Sequence, residues 1–216
     1  MQLKTREEWM SHRAKGLGGS DAAAVLGINP WMSNVMLWEI KTRRKQQEDI
    51  SNKAVVKYGV QAEDYLRKLF ILDFPEYEVH YEPNNSFTCP DTPFLLASLD
   101  GWLVEKATGA KGFWECKTTE IKRLADLEKW NGQIPQYYYC QVLHYFNVLP
   151  DHTFCVLKAQ LKRKDNNGNL LLDTRHYFFK REECSTDCEY LKKKEIEFWQ
   201  NYVVKDIRPA LILPEL

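Results

Sequence analysis

Two short apolar runs constrain this chain more than any other part of it, because each carries charge where a buried strand tolerates it poorly. Leu96-Ala97-Ser98-Leu99-Asp100-Gly101 ends in a carboxylate and a glycine, and Phe113-Trp114-Glu115-Cys116-Lys117-Thr118 carries Glu-x-Lys within an aromatic strand. Unpaired charges are costly in such surroundings, so these must be paired or used. Side chains alternate across a strand, which puts Glu115 and Lys117 on one face and turns Cys116 to the other. The polar, glycine-containing segment 105–111 between the runs suits a hairpin of strands at 94–104 and 112–118. Asp100 can then sit beside the Glu-x-Lys pair, so that two carboxylates and an ammonium converge.

That convergence suits phosphodiester hydrolysis. Hard oxygen ligands hold Mg2+, or Mn2+ in its place, and the ion keeps several waters. Asp100, Glu115 and the backbone carbonyl of Cys116 are the candidate ligands. Two ions about 3.5–4 Å apart would serve the attacking and the leaving oxygens. Lys117 could position the water and stabilise developing charge. The plain alternative makes Asp100 a turn residue and Glu115–Lys117 a solvated ion pair.

The rest of the chain predicts elements to frame this hairpin. Residues 5–14 read as a helix with Thr5 and Glu8 as a capping box. Residues 16–27 hold Gly16, Gly18, Gly19, Ser20 and Asp21 ahead of three alanines, a loop feeding a short helix that Ser20 opens. Free N–H groups there make an anion site, and Arg13 adds a bidentate phosphate partner. The plain alternative is a tight turn, a cap and a surface arginine. Further helices are expected at 34–44 (capped by Ser33), 52–73 (carrying Glu63), 135–148 (opened by Pro135) and 186–203, with Thr186 and Glu189 as a capping box. Strands are expected at 76–82, 152–162 and 170–180, the last two joined by the turn Asp165-Asn166-Asn167-Gly168. Helices, a strand cluster, one helix, two strands and a helix make an α/β fold: a mixed central β-sheet flanked by α-helices.

Composition excludes little. The 216 residues suit a single domain, and 30 basic residues balance 30 acidic ones, so no basic excess announces a nucleic-acid binder. No apolar run reaches membrane-spanning length, and the start MQLKTREEWM lacks the apolar centre of a signal peptide. These point to a cytoplasmic protein with no membrane partner. Six cysteines without a C-x-x-C pair read as buried thiols in a reducing compartment. The five histidines form no ligand-spaced cluster. Glu63 alone reads as a solvated helix residue, and Gln141, sharing a helix face with Tyr138, Tyr145 and Val148, as a packing polar group. Trp31 and Trp102 are large enough to wedge a duplex end.

Five pieces in order across residues 9–149 resemble the PD-(D/E)xK nuclease superfamily, and more narrowly the lambda-type exonucleases, or YqaJ-type viral recombinases. They are Trp9 with Arg13, the turn Gly18-Gly19-Ser20-Asp21, Gly59 followed by Glu63, the strands with Leu99-Asp100-Gly101 and Glu115-Cys116-Lys117, and Gln141 in the tyrosine-rich helix. The resemblance implies a restriction-endonuclease-like core and a metal-dependent enzyme that degrades one strand of double-stranded DNA from its 5′ end. It implies work beside a single-strand annealing protein in phage-type recombination, a ring-shaped homotrimer, and a phage- or prophage-encoded protein of the bacterial cell. It makes Asp100 and Glu115 metal ligands, Lys117 a catalytic residue, Glu63 a support of the metal and Gln141 an active-site glutamine, and puts Arg13 and Ser20 at the terminal 5′ phosphate. Other readings are an endonuclease or Cas4-like nuclease of the same fold, and a non-catalytic DNA-end-binding protein. A Cas4-like enzyme would carry a cysteine set for an iron–sulfur cluster, and the spacing here lacks one.

Overall fold

The computed structural model describes residues 3–165 and 167–213. Its elements run α1 (Arg6–Arg13), β1 (Leu17–Gly18), α2 (Gly19–Val25), α3 (Asn34–Lys41), α4 (Ala54–Asp73), β2 (Tyr77–His80), β3 (Phe87–Thr88), β4 (Leu95–Ala97), β5 (Gly101–Glu105), β6 (Lys111–Glu120), α5 (Leu124–Glu128), α6 (Gln136–Val148), β7 (His152–Lys164), β8 (Leu170–Lys180) and α7 (Ser185–Phe198). A 3-10 turn, Arg181–Cys184, precedes α7, and a π-helical stretch, Trp199–Val204, comes after it.

The main sheet has the order β2-β5-β6-β7-β8, and a second sheet of three short strands has the order β1-β4-β3. Strands β6 and β7 run parallel while the other neighbours in the main sheet run antiparallel, so the sheet is mixed. Parallel neighbours need a crossover, and the segment with α5 and α6 supplies it. Strand β6 is central and covered on both faces: Phe113 and Trp114 point opposite ways and both are fully buried. Phe113 joins a core shared with α2, α6 and α7, and Trp114 joins a smaller one built with Leu66 and Phe70 of α4. Helix α6 is buried along the whole run from Cys140 to Val148, and the polar residues in it are paired: Gln141 with Glu115, His144 with Glu195 and Asn147 with the Cys188 carbonyl.

Most predicted elements are present with ends moved by a residue or a few. Thr5 caps α1, its hydroxyl accepting the Glu8 amide at 3.1 Å, while the Glu8 carboxylate accepts the Lys4 amide at 2.9 Å. Ser33 caps α3 in the same way through Met36. Three expectations are corrected. The stretch 94–104 is two strands in two sheets, because Ser98 and Leu99 spend their polar groups elsewhere: the Asn85 side chain bonds both the amide and the carbonyl of Leu99 at 2.8 Å, and the Tyr145 hydroxyl donates to the Ser98 carbonyl. The last helix starts at Ser185 after the 3-10 turn, so Thr186 lies inside its first turn and is not the cap. Finally, α2 is opened by Gly18, with Asp21 accepting the Gly18 amide at 3.0 Å, so Ser20 lies within the first turn of a seven-residue helix. Of the expected turn at 165–168, Asn166 lies outside the described residues.

Candidate active site

The β5–β6 hairpin assembles the charged centre. Gly101 pairs with Trp114, which sets Asp100 beside Glu115 at the point where the hairpin opens. One Asp100 carboxylate oxygen accepts the Cys116 amide at 2.9 Å. Glu115 is 2% exposed. Its Oε1 accepts from Lys117 Nζ at 2.5 Å and from Gln141 Nε2 at 2.8 Å. Cys116 points to the other face, toward α4, as strand alternation requires.

Charge is unbalanced here in a useful way. Burial, then repulsion from Asp100, raises the Glu115 carboxyl to about 8, although Lys117 opposes the shift. Burial disfavours the Lys117 ammonium, but the fields of Glu115 and Asp100 more than offset it and raise its pKa. The Tyr138 ring lies 5.0 Å from the same ammonium and adds a cation–π contact. Glu63 of α4 is also raised, to about 7, by burial and by Asp100. Arg67 ties it in: one guanidinium nitrogen donates to Glu63 at 3.1 Å and to the Asp100 carbonyl at 2.8 Å, and the group stacks 3.7 Å from the Tyr81 ring centroid.

The donor set fits a hard divalent cation. The second Glu115 oxygen is buried and has no hydrogen-bond partner among the described residues, and it lies beside a carboxylate that repels it. A buried carboxyl oxygen left that way suits a cation, whose field would hold Glu115 ionised. Among the described residues no three His, Cys, Asp or Glu side chains are gathered to hold an ion. An ion here would therefore lean on Asp100, Glu115, a backbone carbonyl and water, a set that suits Mg2+.

A second cluster lies across α2. The Arg13 guanidinium donates to the Ser20 hydroxyl and lies 5.2 Å from the Trp9 ring centroid. Burial opposes ionisation of Asp21, but Lys41 at 2.8 Å and Arg13 outweigh it and lower its pKa. Gly19 lets α2 approach α6 so closely that an added Cβ would meet Tyr145 and Gln141 at 2.6 and 2.8 Å. The Tyr145 hydroxyl accepts from Gln141 at 2.9 Å. Gly19 thus joins the Arg13–Ser20 pair to the charged centre.

Residues 8–152 match the family model of the YqaJ-like viral recombinase domain. The chain belongs to the YqaJ-like viral recombinase family. It is 31% identical over 221 residues to the uncharacterised protein YqaJ of Bacillus subtilis (strain 168), covering 96% of this chain and 59% of that relative's length. Among solved structures it resembles an alkaline exonuclease of Laribacter hongkongensis, with a TM-score of 0.58, 15% identity and coverage of 93% of this chain and 97% of that one. The same protein in complex with dAMP gives a TM-score of 0.57 at 15% identity. The likeness establishes a restriction-endonuclease-like fold.

Within that fold, Asp100, Glu115, Lys117 and Gln141 come together directly, and Glu63 joins through Arg67. Arg13 and Ser20 meet each other as a separate pair. Sequence reasoning missed Arg67, whose only signal is its place four residues after Glu63, and it gave Tyr145 no role beyond sharing a helix face with Gln141. The six cysteines are free, five of them buried. Among the described residues no helix is long and apolar enough to cross a membrane.

Proposed function

We propose that residues 1–216 act as one PD-(D/E)xK domain, a metal-dependent 5′→3′ exonuclease that degrades one strand of double-stranded DNA from its 5′ end. The observation that carries this reading is the Glu115 carboxylate, which shares one oxygen between Lys117 and Gln141 and leaves the other, beside Asp100, without a partner among the described residues. Asp100, Glu115 and the Cys116 carbonyl would hold Mg2+ or Mn2+, with Glu63 completing the negative charge around it. Such a cation supplies charge stabilisation at the phosphate and a bound water of lowered pKa. Lys117 donates hydrogen bonds to the oxygen that gains charge as the phosphodiester breaks. Gln141 holds the Glu115 carboxylate in one orientation, and Tyr145 holds Gln141 in turn.

Restriction to DNA ends rests on Arg13 and Ser20. A guanidinium and a hydroxyl already in contact offer a fork of donors to a terminal phosphate. The helix start itself contributes less than its glycines suggest, because Asp21 takes the Gly18 amide. The related fold with dAMP bound supports a nucleotide product, and family membership supports phage-type recombination beside a single-strand annealing protein. An apolar stripe on α4, with Tyr65, Leu69 and Leu72 at 68%, 49% and 75% exposed, supports association of copies through this face, and the resemblance makes that assembly a ring-shaped homotrimer. The setting we propose is the cytoplasm of a bacterial cell, with a phage or prophage origin.

Duplexes labelled at either end, with a 5′ phosphate or a 5′ hydroxyl, test the reading. With Mg2+, 5′ mononucleotides should appear from the first turnover, faster from phosphorylated ends. Internal nicks as the main product would reject an exonuclease, and equal rates on both ends would reject the role of Arg13 and Ser20.

A further inference from the structure

Trp31 is 68% exposed, yet it is held from two sides. Asn29 organises the loop before it: the Asn29 Oδ1 accepts the amides of Trp31 at 2.8 Å and Met32 at 3.0 Å. The Asn29 Nδ2 donates to the Ser20 carbonyl at 3.4 Å, so one asparagine amide spans the gap between Ser20 and the Trp31 backbone. On its other side the indole stands edge-on to Tyr137, centroids 5.0 Å apart at 76°. Tyr137 meets Tyr138 at 4.5 Å, and Tyr138 lies 5.0 Å from the Lys117 ammonium. Trp31 is thus linked to Ser20 through its backbone and Asn29, and to Lys117 through its ring and the Tyr137–Tyr138 pair, with much of its ring surface left open.

We propose that Trp31 is a stacking platform for the terminal nucleobase of the DNA end. The inference rests on the reading of Arg13 and Ser20 as the 5′-phosphate site. A nucleotide with its 5′ phosphate on that pair and its 3′ phosphodiester at Lys117 would carry its base beside the chain of contacts that joins the two, and Trp31 is the exposed aromatic ring in that chain. An aromatic face accepts any base, because every base has a π-face, and so suits an enzyme that must remove all four nucleotides in turn. The edge-on contact with Tyr137 fixes the indole's orientation without covering both of its faces.

The test is a binding cycle read by fluorescence anisotropy in EDTA, so that cleavage does not enter. Short 5′-phosphorylated duplexes with an intact or an abasic 5′-terminal nucleotide, and an intact duplex with a 5′ hydroxyl, are titrated with the parent protein, Trp31→Ala and Trp31→Phe. Trp31→Ala should weaken binding to the intact end by about 5- to 150-fold, the worth of one base–aromatic stack. On the abasic end the same substitution should change binding by less than about 2-fold, because there is no stack to lose. Trp31→Phe should recover most of the affinity. Equal losses on intact and abasic ends would overturn the proposal. So would a drop in mass by light scattering in Trp31→Ala, which would make the indole a contact between copies. A parent protein that ignores the 5′ phosphate removes the underlying reading. A phosphate preference with no effect of Trp31→Ala removes only this inference.

Discussion

Gly19→Ala adds one methyl group at the contact between α2 and α6, and its consequence can be worked from the structure. The new carbon would lie 2.6 Å from Tyr145 Cε1 and 2.8 Å from Gln141 Cγ. Carbon atoms rest about 3.5–4.0 Å apart, so the helices must separate by roughly 1 Å. Tyr145 cannot simply retreat, because its hydroxyl donates to the Ser98 carbonyl at 2.7 Å and accepts from Gln141. Overpacking of this kind costs about 1–3 kcal/mol, and the helix preference of alanine over glycine returns at most about 1 kcal/mol. A net loss of up to about 3 kcal/mol lowers Tm by up to roughly 12 °C in a chain of this length. The effect on catalysis should be larger than stability alone implies. Gln141 holds Glu115, and a displacement near 1 Å at a catalytic group can cost about 100-fold in rate. Scanning calorimetry and duplex digestion of the same preparation check both. The loss of stability should shrink in a Tyr145→Leu background, where the ring that clashes is gone. A Gly19→Ala protein with unchanged Tm and full activity would refute the claim that this contact positions Gln141.

The same geometry sets three further outcomes. Mn2+ at about 100 times its dissociation constant should stabilise the protein by about 2.7 kcal/mol, and Glu115→Gln should remove most of that gain in thermal scans. Tyr138→Leu should lower kcat about 2- to 30-fold with little change in KM, and Tyr138→Phe should restore it, since a cation–π contact is worth about 0.5–2 kcal/mol; a loss confined to KM would argue against contact with Lys117. His144 is fully buried with its Nδ1 2.6 Å from Glu195; burial opposes its charge, but Glu195 outweighs burial and raises its pKa. Its contribution to stability is therefore complete below about pH 6.5 and is lost as pH rises through the elevated folded-state value. Tm should fall with rising pH over that range in the parent and stay flatter in Glu195→Gln, and identical pH profiles would sink the assignment.

Alternation and order along the chain made part of this site legible in the sequence. Charged residues in apolar strands marked the hairpin, and the period of two put Glu115 and Lys117 on one face and Cys116 on the other. Pro135 and the run of aromatic residues after it marked the helix that brings Gln141 to Glu115. The break after Ala97 was not legible, because it is made by Asn85, a side chain fourteen residues from the backbone it pairs. Arg67 was hidden for a related reason: its use is defined by the Asp100 carbonyl, 33 residues away. The start of α2 was misread locally, since Ser20 and Asp21 are both good caps and only the fold shows which one turns back to Gly18. Strands of two residues, such as β1 and β3, carry too little pattern to stand out before their partner β4 is in place.

The central claim is that Glu115, Lys117 and a divalent cation cut the terminal phosphodiester of a DNA end. The most direct measurement is digestion of a 5′-phosphorylated, end-labelled duplex with Mg2+ by the parent and by Lys117→Ala, with duplex binding measured alongside. The parent should release 5′ mononucleotides, and Lys117→Ala should release them at least about 100-fold more slowly while binding duplex within a few-fold of the parent. Release by Lys117→Ala at the parental rate, or products that come from internal nicks in both, would contradict the central claim.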